Sequence, residues 1–526
     1  MAQRAVAING VPRGLVPWAG AIVSALLVLL CLGTVLAVFL RAESAAQFSR
    51  SDWVAVRFTV TQAFLSALLS VVLAIPVARA LARREFRGRH TMIALLGAPF
   101  ILPVIVAILG LLAVFGRTGV LSTFLGWFGL PPVQIYGLHG VVLAHVFFNL
   151  PLAVRFLLQG WAAIPAEHFR LVASLGGGPR DVGRLLERPM LWRVLPGTFA
   201  LIFLICTTSF AVALALGGGP KATTVELAIY QAFRFDFDLS KAALLAIVQL
   251  VLSGAAAIAA WKFSRQHDAG QGLDRVVQRY DRAHGRLADA AWLGFVVLLL
   301  GLPLVMVVMQ GAAGFLSMPA SVWAAAGRSL LVALASTCLA VTFGLALSLW
   351  LARLRGAPRA VGEMVAYLTV AVSPLVMGAG LFILIFPFAS PRDWALPITA
   401  LVNAAMALPF VTRALMPAVE ACEAEYGPLA ESLRLRSWAR LRYLTLPRLR
   451  RPIGFVAGLA AALSMGDLGV VALFADPEQA TLPLKLYDLM GAYRMDAAAG
   501  AGLLLMGLSF GLFYLFDRGG RMNASV

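Results

Sequence analysis

The stretch Asn149-Leu150-Pro151, followed by Arg155, Ser174-Leu175 and Pro189, returns further along as Ala407-Leu408-Pro409, Arg413, Ser432-Leu433 and Pro447. Leu150/Leu408, Pro151/Pro409, Arg155/Arg413, Leu175/Leu433 and Pro189/Pro447 share one offset of 258 residues. Unrelated hydrophobic stretches match on Leu and Ala. Proline, arginine and serine recurring together at one spacing mark an internal duplication. The echo continues to Ala222-Thr223 and Ala480-Thr481, so the chain reads as two related halves in tandem.

Composition says what solvent those halves face. Of 526 residues, 61% are hydrophobic and 13% charged, with a mean hydropathy of +0.87. Soluble domains carry about 25% charged residues, so this chain has too little polar surface to coat a water-exposed globule, and lipid is its main solvent. The formal charge of +18 sits in short arginine clusters between apolar runs. No continuous basic face with interleaved aromatics is present, which excludes a nucleic-acid partner. Cys31, Cys206, Cys338 and Cys422 show neither disulfide-framework nor metal-ligand spacing, and three of them lie within apolar runs.

Runs long enough to cross about 30 Å of hydrocarbon fall near 17–40, 58–82, 92–115, 138–159, 195–216 and 242–262. In the second half they fall near 291–312, 329–352, 364–388, 394–415, 453–475 and 497–516. The first run exceeds a signal-peptide core of about 7–15 residues and reads as a retained span. Pro103, Pro151, Pro374 and Pro409 are expected inside spans, where neighbouring helices accommodate them. The fold class is therefore an all-α polytopic membrane protein with about twelve transmembrane helices in two tandem six-helix repeats, assigned to residues 1–263 and 289–526. A charged stretch, 264–288, links them.

Alternate connections differ sharply in basic residues. One set holds Arg83, Arg84, Arg87 and Arg89, then Arg170 to Arg193, Arg265 to Arg286, Arg353 to Arg359 and Arg434 to Arg451. The other is sparse, with Arg41, Arg50, Arg57, Arg117, Lys221, Arg234, Lys241, Arg392, Lys485 and Arg494. The positive-inside rule makes the first set cytoplasmic, with both termini inside. Six spans per half give the halves the same orientation, so they can pack about a pseudo-twofold axis along the membrane normal.

The longest cytoplasmic connections, about 161–193 and 417–451, sit between the fourth and fifth spans of each half. In the first, Pro165, the apolar stripe of Arg170-Leu171-Val172-Ala173-Ser174-Leu175 and Gly176 read as a short helix, a turn and a second helix. Such a basic amphipathic hairpin suits docking of a partner protein, lying on anionic lipid, or a plain connection.

The Ser-Leu-Gly turn, with Pro189 thirteen residues beyond Gly176, resembles the EAA loop of ABC importer permeases. That resemblance implies a type I importer (MetI-like) fold in which Leu175, Gly176 and Pro189, and Leu433, Arg434 and Pro447, mark loops that couple to an ATPase subunit. Two departures stand out. Arg170 and Pro428 occupy the position of the leading Glu, and Arg434 replaces the turn glycine, which implies altered docking by the second copy. The whole chain resembles the fused thiamine/thiamine pyrophosphate permeases of proteobacteria. The resemblance is carried by Gln62-Ala63-Phe64-Leu65-Ser66-Ala67-Leu68-Leu69-Ser70, Leu143-Ala144-His145-Val146-Phe147-Phe148-Asn149, Leu216-Gly217-Gly218-Gly219-Pro220 with Glu226-Leu227-Ala228-Ile229-Tyr230-Gln231, and Gly466-Asp467 with Gly469-Val470-Val471-Ala472-Leu473-Phe474. Fused iron(III) permeases share this architecture. The resemblance implies two copies of a cytoplasmic ABC ATPase, which use ATP and Mg, and a periplasmic thiamine-binding protein. It implies no cofactor or metal on this chain, a place in the bacterial inner membrane, and transport by alternating access.

Asp467 is the most conspicuous charge near a span interior, and Ser209 stands at its pseudo-equivalent position beside Thr207, Thr208 and Phe210. A carboxylate there faces a cavity or a partner. It suits either a pathway for a cationic solute or a packing role. Gly217-Gly218-Gly219-Pro220-Lys221 lacks the contiguous Gly-Lys-Ser/Thr of a phosphate loop. On the outer face it suits a binding-protein contact, as do Arg234, Asp236 and Arg494; a solvated loop is the alternative. The six histidines show no metal spacing, and no nucleophile constellation stays on one side of the membrane. Intrinsic enzymatic chemistry is not expected. The alternative from another class, an ion-driven carrier of 6+6 spans, calls for several pairable charges within spans, and this chain has few.

Overall fold

The computed structural model describes residues 16–41, 48–264, 285–390, 392–435, 437–474 and 478–521. Most of the expected linker, 264–288, lies outside them. The described residues form helices and connections with no strand, and eleven of the helices are long and apolar enough to cross a membrane. The protein is an all-α polytopic membrane protein.

Four expected spans are broken, and the breaks carry the architecture. The third divides into Arg89–Leu95 and Val104–Phe115, with Pro103 immediately before the second piece. The ninth divides into Ala357–Ala371 and Pro374–Ile385, which is why twelve runs give eleven long helices. The expectation that Pro103 and Pro374 sit inside continuous spans is corrected: each stands where a new helix begins. Proline has no N–H to continue a ladder and pushes the preceding residue out of helical geometry. Pro151 and Pro409 do lie inside helices, Leu138–Ala162 and Ala395–Ser432. The fifth and eleventh spans stop at Thr207 and Met465 and resume as the short helices Ala211–Leu216 and Gly469–Phe474.

Each half's leading helix lies on the other half. Val23 and Leu27 of Val16–Arg41 pack with Leu347, Leu351, Ala366 and Leu408. Val296, Leu300 and Val307 of Arg286–Gly314 join the cluster of Ile105, Ile108 and Leu111. Small residues permit both contacts. A Cβ on Gly110 would lie 2.7 Å from the Pro303 carbonyl, and one on Gly380 would strike Thr34 in the same way. In lipid, close backbone approach and interhelical hydrogen bonds replace the hydrophobic drive available in water.

Polar ties repeat across the two halves. The Ser253 hydroxyl donates to the Ala371 carbonyl at 2.6 Å, and Ser509 donates to the Ile101 carbonyl at 2.8 Å. Each joins a half's last span to the broken span of the other half, satisfying a carbonyl that the break leaves without a helical partner. The Val225 N–H donates to Thr59 at 2.9 Å, and the Leu482 N–H donates to Ser329 at 2.8 Å. The offset is 270 residues between Gly110 and Gly380 but 258 between Pro151 and Pro409. The difference falls in the connection between the third and fourth spans, where the first half carries the extra helix Val120–Gly126.

Candidate functional site

The first elbow begins where Pro165 caps helix Ala166–Ser174. It ends in a turn where Gly176 adopts φ +73° and the Gly177 N–H reaches back to the Val172 carbonyl at 2.9 Å. That is a helix stop built on a left-handed residue. In the second elbow Arg434 takes φ +49° and the Leu435 N–H reaches the Ala430 carbonyl at 3.0 Å. Both elbows then return through a π-helical turn, Gly183–Glu187 and Leu441–Thr445, into the fifth and eleventh spans. The span expected at 394–415 is longer: it runs on into the second elbow as one 38-residue helix, Ala395–Ser432. Glu423 stands where Pro165 starts the separate helix of the first copy, and here the helix runs on through Pro417 and Pro428.

On these elbows Leu171 and Leu175 are 56% and 77% exposed, and Leu429 and Leu433 are 55% and 62% exposed. Leucines four apart share a helix face, so each elbow presents one apolar pair. Pro189 and Pro447 follow the π-helical turns inside continuous helices that start at Pro179 and Ser437, and the wider turn accommodates the missing N–H. The anchors differ. Glu187 is buried and takes Arg79 at 2.8 Å and the Trp161 indole N–H at 3.2 Å. The second elbow is held by an Arg440–Glu423 ion pair and by Arg359, which reaches Glu420 and Glu363, each at 2.8 Å.

The pathway candidates lie at the broken spans. Thr207 ends its helix with its hydroxyl on the Phe203 carbonyl at 2.7 Å, and Thr208 bonds back to Ile205 at 3.3 Å. Gln249 donates to the Thr207 carbonyl at 3.1 Å, and Gln62 to the Cys206 carbonyl at 2.8 Å. Both threonine hydroxyls are therefore occupied by their own helix. Ser209 falls in the break itself. Asp467 is not at a helix centre but in the matching break: its Oδ1 accepts the Gly469 N–H at 3.2 Å, and its buried Oδ2 has no partner among the described residues. A Cβ on Gly469 would lie 3.6 Å from Phe210 and 3.8 Å from Asp467 Oδ1, and one on Gly466 would lie 3.1 Å from Pro103. The fold thus brings Phe210 of one half against Gly469 of the other, two residues from Asp467.

The candidates for binding-protein contact are placed separately. Gly218 and Gly219 adopt φ +79° and +125°, and the segment is fixed by the Gly137 N–H on the Leu216 carbonyl at 2.8 Å. Arg234 ends helix Val225–Arg234, while Asp236 and Arg494 are exposed. Beside them project Phe235, Phe237 and Tyr493, at 65%, 81% and 91% exposure. These aromatics escaped sequence reading because nothing in an apolar chain distinguishes a ring that faces outward. Glu226 escaped it too: in the first turn of its helix it looks like an ordinary dipole-matching acid, yet it is fully buried.

Paired elbows below a seam of broken spans define a permease of the binding-protein-dependent class. Residues 344–519 match the family described as binding-protein-dependent transport system inner membrane component. The chain is 39% identical over 515 residues to the thiamine transport system permease protein of Brucella abortus (strain 2308), covering 95% of each. It is 40% identical over 523 residues to that of Salmonella typhimurium (strain LT2), covering 97% of each. To that of Escherichia coli (strain K12) it is 38% identical over 532 residues, again covering 97% of each. The chain belongs to the thiamine transport system permease family and is a multi-pass inner membrane protein.

Proposed function

We propose that this chain carries thiamine or its phosphates across the inner membrane as the permease of an ABC importer. The observation that carries the coupling reading is the pair of elbows, each with the same left-handed stop and the same exposed leucine pair. Two copies of a cytoplasmic ATPase dock there, one around Leu175, Gly176 and Pro189, the other around Leu433, Arg434 and Pro447. ATP and Mg act in those partners, and this chain contributes no reaction of its own. Closure of the ATPase pair biases the two halves between inward-open and outward-open states, because each ligand favours one of them. The repeats, 1–263 and 289–526, are the moving units, joined by 264–288, with both termini in the cytoplasm.

A periplasmic thiamine-binding protein delivers the cargo to the outer face, where Gly218, Gly219, Arg234, Asp236 and Arg494 receive it. The cargo passes the seam of Thr207, Thr208, Ser209, Phe210 and Asp467. Thiamine carries a fixed positive charge, and the Asp467 carboxylate in the broken span suits it. The naming of the relatives favours this over the fused iron(III) permease. The test is ATP-driven uptake by the permease with its ATPase and binding protein in proteoliposomes. Thiamine uptake that needs all three supports the reading, while uptake driven by an ion gradient without the ATPase overturns it. Elbow residues 161–193 or 417–451 found outside the cell by topology mapping would also overturn it.

A further inference from the structure

Glu226 is fully buried, and only one side of its carboxylate is satisfied across the seam. Its Oε2 accepts the Ser373 hydroxyl at 2.6 Å, and its Oε1 has no hydrogen-bond partner among the described residues. Ser373 belongs to the opposite half, at the break just before Pro374–Ile385. The same hydroxyl accepts the Leu375 N–H at 3.1 Å, so it is fixed in place. Gln249, on the adjoining span, donates to Thr207 and leaves its own carbonyl oxygen unpaired. Two buried oxygens, one on Glu226 and one on Gln249, thus lack a donor among the described residues.

The surroundings are aromatic. Tyr230 stands four residues after Glu226 on the same helix and therefore on the same face. Its ring meets that of Phe210 edge to face, with centroids 5.2 Å apart. Phe210 in turn lies against Gly469, two residues from Asp467. One chain of contacts therefore links the helix that carries Glu226, through two rings, to the break that holds Asp467. Rings and carboxylates together recognise a flat organic cation: the rings take its faces and the carboxylates its charge.

We propose that Glu226, Tyr230 and Phe210 form a cation-recognising subsite that selects a planar, positively charged cargo as the halves part at the seam. The subsite rests on the thiamine reading above and adds the residue that sets its charge selectivity. In the closed seam Ser373 occupies one carboxylate oxygen, and parting the halves frees that oxygen for the cargo.

The experiment uses the full complex in proteoliposomes and compares uptake of thiamine with deazathiamine, its neutral isostere with carbon in place of the quaternary ring nitrogen. Glu226→Gln is expected to lower thiamine uptake at least tenfold while changing deazathiamine uptake less than twofold. Glu226→Asp, which keeps the charge, is expected to restore most of the thiamine uptake. Ser373→Ala removes the hydrogen bond and no charge, and is expected to change both uptakes by one common factor. An equal loss of both cargoes in Glu226→Gln, wild-type thiamine uptake in it, or a cation-selective loss in Ser373→Ala overturns the proposal. A wild-type complex that moves neither cargo instead overturns the thiamine reading on which it stands.

Discussion

Gly176 and Arg434 occupy the same point of the two elbows and share the left-handed backbone, at φ +73° and +49°. The turn that ends each elbow helix requires that conformation whatever residue stands there. Glycine adopts it freely, whereas a residue with a Cβ is strained by about 1 kcal/mol. The second half keeps the geometry at the expense of local strain and gains a positive charge at the tip.

Arg434→Gly is accordingly expected to stabilise the second elbow by about 0.5–1 kcal/mol. A rise in the melting temperature of the purified permease checks this, and an unchanged or lower value contradicts it.

Gly176→Pro reverses the test. Proline holds φ near −65° and lacks the N–H that Gly176 donates to the Ala173 carbonyl at 3.0 Å. Loss of stimulated ATPase activity in the complex, with membrane insertion intact, is the expected outcome. Wild-type stimulation in this variant removes the first elbow from coupling.

The exposed leucine pairs supply apolar contact for a partner. Leu175→Asp and Leu433→Asp are each expected to weaken ATPase co-purification at least tenfold, since burying an unpaired carboxylate in an interface is strongly unfavourable. Their effects on permease stability are expected to stay within about 0.5 kcal/mol, as for exposed substitutions generally. Retention of the ATPase by the double variant would sink the docking assignment.

Glu187 is buried between Arg79 and the Trp161 indole. Glu187→Ala leaves the Trp161 N–H without its acceptor, a loss of about 1–3 kcal/mol. Thr445 stands at the matching position of the second elbow, where Arg440–Glu423 performs the anchoring. Thermal unfolding of Glu187→Ala and Thr445→Ala therefore separates the two anchors, with the larger fall expected in the first.

The matched serines give a symmetric case. Ser253→Ala and Ser509→Ala each remove one cross-half hydrogen bond, and such bonds in membranes average about 0.6 kcal/mol. Similar, additive losses are expected in the double variant. A loss confined to one serine would show that the halves are not equivalent at the seam.

The sequence by itself determined the solvent, the duplication and the elbows. Charge content, run length and arginine placement are local properties, and Pro151/Pro409 or Ser174/Ser432 can be matched along the chain without folding it. It also pointed to Asp467 and Phe210, although as members of continuous helices. Only the tertiary structure decided that Pro103 and Pro374 break their spans, since proline inside an apolar run is compatible with a kink or a stop until the neighbours are known. The exchange of the leading helices, the Ser253 and Ser509 ties and the Glu226–Ser373 contact were likewise decided there. Each joins residues more than a hundred positions apart, and periodicity carries no information about which distant backbone meets a given side chain.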